Sequence, residues 1–347
     1  MPLLVALAAG PSWAAADDPS NDDCLMCHAD EQSATLAGGG ELKLAPVDAA
    51  AYGGSVHGKA QQPVSCVQCH VGMTTEHSDG KPLPYKGTAN LTRRHVEACK
   101  ACHIQNFKKS LDGVHHRVAE AGNTSAPTCV DCHGSHAVAG PHERGRIAQL
   151  CAECHFEEAE AFAKSVHGRA LDQKNEDVPV CTDCHRAHDT IDVRGGQMAL
   201  RTADICGRCH SDEKLMKKYG LSPDVVSTYL NDFHGMSATL QRGRASREGG
   251  GRLAAGCTDC HGVHDIQKAG DPSSTVIAAN LQKTCAKCHQ GASASFPKAW
   301  LSHYQPTPEK APLVWMVQLF YRLMIPFMVG GLLLQIALHL WRVVVNR

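Results

Sequence analysis

Cysteine and histidine recur along this chain at one fixed spacing, with two cysteines three positions apart and a histidine directly after the second. The pattern occurs nine times and takes up all 18 cysteines. In chain order the cysteines are Cys24, Cys27, Cys66, Cys69, Cys99, Cys102, Cys129, Cys132, Cys151, Cys154, Cys181, Cys184, Cys206, Cys209, Cys257, Cys260, Cys285 and Cys288. The histidines that follow them are His28, His70, His103, His133, His155, His185, His210, His261 and His289. Two thiols at this spacing add across the vinyl groups of a porphyrin, and the adjacent histidine becomes the proximal ligand of its iron. One run would also suit half of a zinc ribbon, but nine runs that use every cysteine predict nine covalently bound haem c groups.

The nine motifs form a repeating unit. Successive motifs start 42, 33, 30, 22, 30, 25, 51 and 28 residues apart, so longer and shorter gaps alternate from the third motif onward. Within a unit, the first motif is followed by a Ser-x-His-Gly segment, as at residues 55–58 and 165–168, and the second motif ends in Cys-His-x-x-His. Self-similarity at a period of roughly 50 residues predicts four and a half copies of one supersecondary unit in an extended array.

Each iron that only passes electrons needs a second axial ligand, the distal ligand, and 13 of the 22 histidines remain for that role. The repeat selects eight positions, which are His57, His115 or His116, His136, His167, His188, His234, His264 and His303. The second motif lacks the His-x-x-His ending, so His77 is the preferred ninth candidate, with Met73 and His95 as alternatives for that haem. A distal histidine is able to reach the iron of another motif, which leaves open the haem that each one serves.

Aromatic side chains are scarce for a chain of 347 residues, with 7 Phe, 6 Tyr and 4 Trp. Nine porphyrins would supply the missing apolar surface, so we expect the chain to fold around its haems. The 31 glycines and 17 prolines suit a loop-rich polypeptide. The predicted fold class is therefore that of a multihaem cytochrome c, with mainly short α-helices and irregular loops wrapped on haems, almost no sheet, and one C-terminal transmembrane helix.

The two ends of the chain predict export and membrane anchoring. Residues 1–16 form a short apolar segment that ends in small residues, as in a signal peptide, although the positively charged start of such peptides is missing. Residues 17–305 would form the periplasmic haem domain of four and a half two-haem repeats. Residues 306–347 would form the anchor, with a transmembrane helix over about 313–341 and a short tail. Arg342 and Arg347 place that tail in the cytoplasm by the positive-inside rule. His339 lies near this end and suits either a plain interfacial position or a b-type haem shared with a partner subunit.

The formal charge of −1 at pH 7 describes the polypeptide alone. Nine haems with two propionates each would move the total to roughly −10 when oxidised and roughly −19 when reduced. This sign disfavours nucleic acid as a partner and favours a periplasmic redox protein with a basic face.

The Ser-x-His-Gly segment before a Cys-x-x-Cys-His-x-x-His motif resembles the doubled-motif multihaem cytochromes c of bacterial respiratory chains. That family includes decahaem periplasmic conduits, pentahaem electron donors and octahaem reductases. The stretch from His303 into the membrane helix resembles anchored members that work beside a cytochrome b. The chain differs from the tetrahaem quinol dehydrogenases, whose anchor is N-terminal. The resemblance covers nearly all of the mature chain and implies electron transfer between a membrane cytochrome b, or another quinone-linked subunit, and a periplasmic redox protein.

Two other functions compete with that of an electron carrier. A multihaem reductase of a small nitrogen or sulfur oxyanion needs one iron with an open position. The available distal histidines suffice to close every site, and the second haem is the weakest assignment. A subunit of an extracellular cytochrome filament would have to leave the membrane, which the C-terminal helix opposes.

Overall fold

The computed structural model describes residues 19–37, 39–75, 96–140, 144–194, 197–244, 254–299, 303 and 305–346. Short helices predominate in these segments, and their sheet content is one antiparallel pair of strands. This confirms the predicted fold class. The chain divides into two compact units, of which the first comprises Met1–Ala159 with Pro179–Asp192 and the second Glu160–Val178 with Val193–Arg347. The first unit contains motifs one to six, and the second contains motifs seven to nine.

The helices and strands follow one another in a simple order. They are α1 (Asn21–His28), β1 (Gln32–Thr35), β2 (Glu41–Leu44), α2 (Ala49–Gly54), α3 (Cys66–Cys69), α4 (Ile104–Leu111), α5 (Val114–Glu120), α6 (Cys129–His133), α7 (Arg144–Ala152), α8 (Phe156–Ala163), α9 (Val166–Asp172), α10 (Cys181–His185), α11 (Gln197–Leu200), α12 (Thr202–His210), α13 (Glu213–Lys218), α14 (Val225–Leu230), α15 (Phe233–Arg244), α16 (Cys257–His261), α17 (Ala278–Ala286), a 3₁₀ turn (Phe296–Ala299) and α18 (Pro312–Val345). Residues 96–102 are also helical. Strands β1 and β2 pair with Ser33 opposite Lys43.

Even-numbered and odd-numbered motifs lie in different kinds of helix. The second, fourth, sixth and eighth motifs are single turns that begin at their first cysteine, in α3, α6, α10 and α16. Proline stands two or three residues before three of these turns, as Pro63, Pro127 and Pro179, and disfavours helix in the residue before it. The odd-numbered motifs instead lie at the C-terminal ends of longer helices such as α12. The repeat therefore alternates two ways of presenting a haem-binding turn.

The polypeptide buries little apolar surface of its own. In the described part of the chain the buried hydrophobic residues are Leu36, Val178, Val180, Leu200, Ala203, Met216, Tyr229, Ala238, Ala254 and Ala311. Three of them, Leu200, Ala238 and Ala254, form a small cluster in the second unit. A chain of this length normally buries far more apolar surface, so something other than side chains must supply the core.

Helix α18 differs from every other described helix in length and hydropathy. It has 34 residues, an apolar window of mean hydropathy 2.0, and no burial of that window against the rest of the chain. At 1.5 Å per residue it is roughly 50 Å long, against about 30 Å for the hydrocarbon core of a bilayer. Length and composition thus make α18 a candidate membrane span.

Candidate haem-binding sites

Seven pairs of histidine rings face each other across a nearly constant gap in the described residues. The first unit contains His57–His103, His70–His136, His115–His155 and His133–His188, and the second contains His167–His210, His234–His289 and His261–His303. Their ring centroids are 6.1 to 6.3 Å apart. Every pair joins one proximal histidine of a Cys-x-x-Cys-His motif to one distal candidate.

This spacing fits one iron atom between two imidazoles. A bond from a metal to an imidazole nitrogen is about 2.0 Å long, and a ring centroid lies about 1.1 Å behind its nitrogen, so two axial imidazoles have centroids about 6.2 Å apart. The angle between ring planes meanwhile varies from 16° to 61°. Rotation about an axis through an iron changes the angle and keeps the distance, whereas ordinary ring packing would not hold the distance constant. The pairs therefore fit bis-histidine haem.

Neighbouring repeats exchange their distal histidines. His57 of the first repeat faces His103 of the second, and His136 of the second repeat faces His70 of the first. In the same sense, His115 of the second repeat faces His155 of the third, whereas His188 of the third faces His133 of the second. At each of these two junctions, each repeat thus contributes one distal candidate that faces a proximal histidine of the other repeat.

The histidine that faces the second motif comes from the next repeat, whereas the sequence favoured one from the loop of the same motif. His136 faces His70, where the sequence favoured His77 from the loop of the same motif. Met73 contacts the second motif through its backbone, because its N–H donates to the His70 carbonyl oxygen at 3.1 Å. His77 and His95 lie outside the described residues. The remaining distal candidate, His264, follows His261 by three residues after the turn of α16.

Each element of the Ser-x-His-Gly segment has a separate structural task. Ser165 is the N-cap of α9, and its Oγ accepts a hydrogen bond from the Gly168 N–H at 3.0 Å. This cap places His167 in the first turn. A Cβ on Gly168 would overlap the carbonyl oxygen of Phe162, so only glycine allows the two chain segments to approach. Equivalent caps join Ser55 to Gly58 and Asp232 to Gly235, each at 2.9 Å.

The second repeat departs from this pattern, and the departure settles which of two histidines faces a haem. Gly113 takes the position of the capping serine and precedes α5. A Cβ there would come within 2.7 Å of the His188 carbonyl oxygen. His115 then faces His155, whereas His116 lies 3.3 Å from the Glu120 carboxylate one turn later. His115, rather than His116, is therefore the distal candidate.

A backbone hydrogen bond accompanies each ligand exchange. The Val56 N–H donates to the Val138 carbonyl oxygen at 2.9 Å, and the Val114 N–H donates to the Thr190 carbonyl oxygen at 2.9 Å. In both cases the donor directly precedes one distal histidine, and the acceptor follows another by two residues. Val166 and Ile266 repeat the bond at 2.8 Å in the second unit. The same local geometry therefore positions two crossing ligands at once.

A left-handed residue turns the chain between the two histidines of Cys-His-x-x-His. Gly134, Arg186 and Gly262 follow the proximal histidines of the fourth, sixth and eighth motifs, with φ of 75°, 63° and 84°. Glycine adopts this conformation without a steric penalty, whereas an arginine pays about 1 to 2 kcal/mol. The shared turn directs the second histidine away from the haem that the first one binds.

The cysteines of successive motifs adjoin one another. Within each repeat the first cysteines of the two motifs share a thiol hydrogen bond, in the pairs Cys24–Cys66, Cys99–Cys129, Cys151–Cys181 and Cys206–Cys257. This bond is the main cause that lowers the pKa of Cys99 to about 6 and that of Cys257 to about 7. Between repeats, burial and then the charges of Cys99 and Cys102 raise the pKa of Cys69. Within each unit, the cysteines of these successive motifs are therefore close neighbours.

Burial favours the neutral form, which binds iron, in six of the paired histidines, whose pKa it lowers. Desolvation lowers the pKa of His167 to about 4, with a further contribution from His210. It also lowers the pKa of His115, His136, His210, His261 and His303. A neutral imidazole has the free lone pair that a metal ligand needs.

Large apolar side chains are exposed directly beside the ligand histidines. Phe156 follows His155 and is 66 % exposed, and Phe233 precedes His234 and is 79 % exposed. Ile104 after His103 and Val56 before His57 are exposed in the same way. Exposed apolar surface concentrated at ligand positions is surface that a bound porphyrin would cover.

Comparison with known proteins agrees with this chemistry. Residues 173–215 match the family model for the doubled CXXCH motif, over a stretch that contains the sixth and seventh motifs. Neither a curated protein nor a solved structure matches the chain. The CXXCH motifs indicate covalently bound haem c, and the class defined by the fold and the sites is a multihaem c-type cytochrome.

Proposed function

We propose that this chain is a nonahaem c-type cytochrome that relays electrons between a quinone-linked membrane partner and periplasmic redox proteins. The observation that carries the proposal is the set of seven histidine pairs with centroids 6.1 to 6.3 Å apart. A haem held in this way supplies reversible one-electron chemistry at its iron. With a histidine on each side, a paired site would leave a bound iron no position for a substrate, so the paired sites suit electron transfer.

The order of the attachment points supports a continuous path. Hydrogen-bonded cysteines connect the two motifs of a repeat, and Cys69 and Cys132 connect each of the first two repeats to the next. In the second unit, Cys260 lies within electrostatic reach of Cys285, which connects the eighth motif to the ninth. Within each unit, these contacts would hold successive haems as neighbours in sequence order, as stepwise transfer requires.

Helix α18 supports a membrane location for the C-terminal end of this path. A single helix is too little to form a quinol pocket, so a partner is required, such as a cytochrome b or another quinone-linked subunit. Gln335 and His339 lie on one face of α18 together with Leu332, Ile336 and Leu340. Polar side chains in a membrane segment usually face a protein partner or a polar cavity rather than lipid. In this proposal the haem domain is periplasmic, the membrane is the bacterial inner membrane, and the C-terminus is cytoplasmic.

Low-temperature EPR of the oxidised, detergent-purified protein, with haem counted by pyridine haemochrome, tests the proposal. Nine haems per chain, all low-spin, are the expected result. A count well below nine would contradict the nonahaem assignment. A stoichiometric high-spin haem would reveal an open iron position and would favour a reductase of a small nitrogen or sulfur oxyanion.

A further inference from the structure

The three motifs of the second unit differ in the charge of one residue, the one directly before the second cysteine. It is Arg208 in the seventh motif, Asp259 in the eighth and Lys287 in the ninth. Each of these side chains belongs to a residue bonded to a haem-attaching cysteine. The unit therefore carries positive, negative and positive charges beside three successive attachment points.

The Asp259 carboxylate is fixed in place by the backbone. Its Oδ2 accepts a hydrogen bond from the Gly256 N–H at 2.6 Å, at the start of α16, and the residue is half-buried. Asp131 and Asp183 make the same bond in the fourth and sixth motifs, at 2.6 and 2.7 Å. A rotating surface carboxylate would be largely screened by water, whereas one fixed and half-buried at this point acts on its haem steadily.

The second motif shows that the cap itself does not need a charge. There the neutral amide Gln68 takes the same position, and its Oε1 accepts from the Ser65 N–H at 2.7 Å. The negative charge of Asp259 is thus separable from its structural hydrogen bond. Its effect on the haem can be tested without removing the cap.

We infer that the fixed carboxylate of Asp259 holds the eighth haem at a lower midpoint potential than its neighbours in the second unit. The inference rests on the haem attachment proposed above. An oxidised haem carries one more positive charge than a reduced one, so a nearby carboxylate favours the oxidised form and a nearby cation the reduced form. Electrons moving between the anchored end and the remaining haems would have to cross this low-potential step.

The test is a redox titration of the full-length holoprotein in detergent, followed by low-spin EPR signals and by optical absorbance. Asp259→Asn retains an oxygen that can accept from the Gly256 N–H, and we expect it to raise the midpoint potential of one haem of the nine. Lys287→Gln, at an exposed position, should lower a haem midpoint potential by a smaller amount. Glu213→Gln removes an exposed charge from α13 of the same unit and should shift neither.

Haem counting separates the possible failures. Variants that carry the wild-type number of haems without the two opposite shifts would overturn the inference and leave the proposed function intact. If Asp259→Asn lost a haem, the Lys287→Gln shift would still decide the question, because Lys287 makes no such cap. A wild-type protein without haem would overturn both.

Discussion

His261 and His303 face each other with ring centroids 6.1 Å apart, although His303 belongs to the half repeat that follows the ninth motif. His136 and His188 are the last residues of Cys-His-x-x-His segments in the second and third repeats. Each faces the proximal histidine of the second motif in the repeat before its own. The half repeat that begins with the ninth motif contains no Cys-His-x-x-His segment. His303 instead provides the ring that faces the second motif of the preceding repeat. The segment just before α18 therefore places a histidine opposite the proximal candidate of the eighth motif.

Replacing His303 should open one iron. In His303→Ala we expect a single high-spin ferric haem per chain while the other haems stay low-spin, because the iron facing His261 loses its distal imidazole. EPR spin quantification measures this directly. His116→Ala is the matched control, since His116 lies beside Glu120 rather than opposite another ring, and it should leave the spectrum unchanged. Retention of nine low-spin haems in His303→Ala would contradict the assignment.

The exchange of ligands between repeats makes a less obvious prediction. His57 lies in the first repeat, but His57→Ala should open the iron of the third motif, which His103 binds from the other side. A high-spin EPR signal is expected, and additional Cys99→Ala and Cys102→Ala substitutions should abolish it by removing that haem. Removing the first haem instead, with Cys24→Ala and Cys27→Ala, should leave the signal in place. Persistence of the signal after loss of the third haem would mean that His57 serves another site.

The sequence predicted the haem attachment points and the short helices because both depend on residues close together in the chain. It could not place His136 opposite His70, because His136 belongs to the next repeat and only tertiary structure brings the two rings together. Local reasoning favoured His77, seven residues after His70. Likewise, the choice of His115 over His116 depends on the point where α5 begins after Gly113, which the histidine pattern alone does not fix.

The glycine of the Ser-x-His-Gly segment should be sensitive to the smallest side chain. In Gly168→Ala the new methyl group would overlap the Phe162 carbonyl oxygen, so α9 must shift and carry His167 with it. We expect a loss of about 1 to 3 kcal/mol in the free energy of unfolding, and weakened ligation of the haem that His210 binds. Thermal unfolding followed by haem absorbance measures the first effect, and EPR measures the second.

Gly145 in α7 provides the matched control for this prediction. A Cβ at Gly145 meets nothing within 4 Å. Gly145→Ala should therefore be neutral or should stabilise the protein by up to about 1 kcal/mol, as alanine generally does within a helix. Equal effects of the two substitutions would show that the close approach at Gly168 is not what selects glycine there.

Helix α18 should be necessary for membrane attachment and unnecessary for haem binding. Its apolar window lies wholly exposed, whereas the ligand closest to it in sequence, His303, precedes it by nine residues. A chain ending at residue 305 keeps every motif and every histidine pair, so we expect it to be released into the soluble fraction with its full haem count and low-spin spectrum.

The full-length protein should resist alkaline extraction from membranes and should require detergent. A truncated protein that stayed in the membrane fraction, or a full-length protein that was extracted without detergent, would contradict the role of α18 as the anchor. Loss of the low-spin spectrum on truncation would instead show that α18 helps to hold His303 opposite His261.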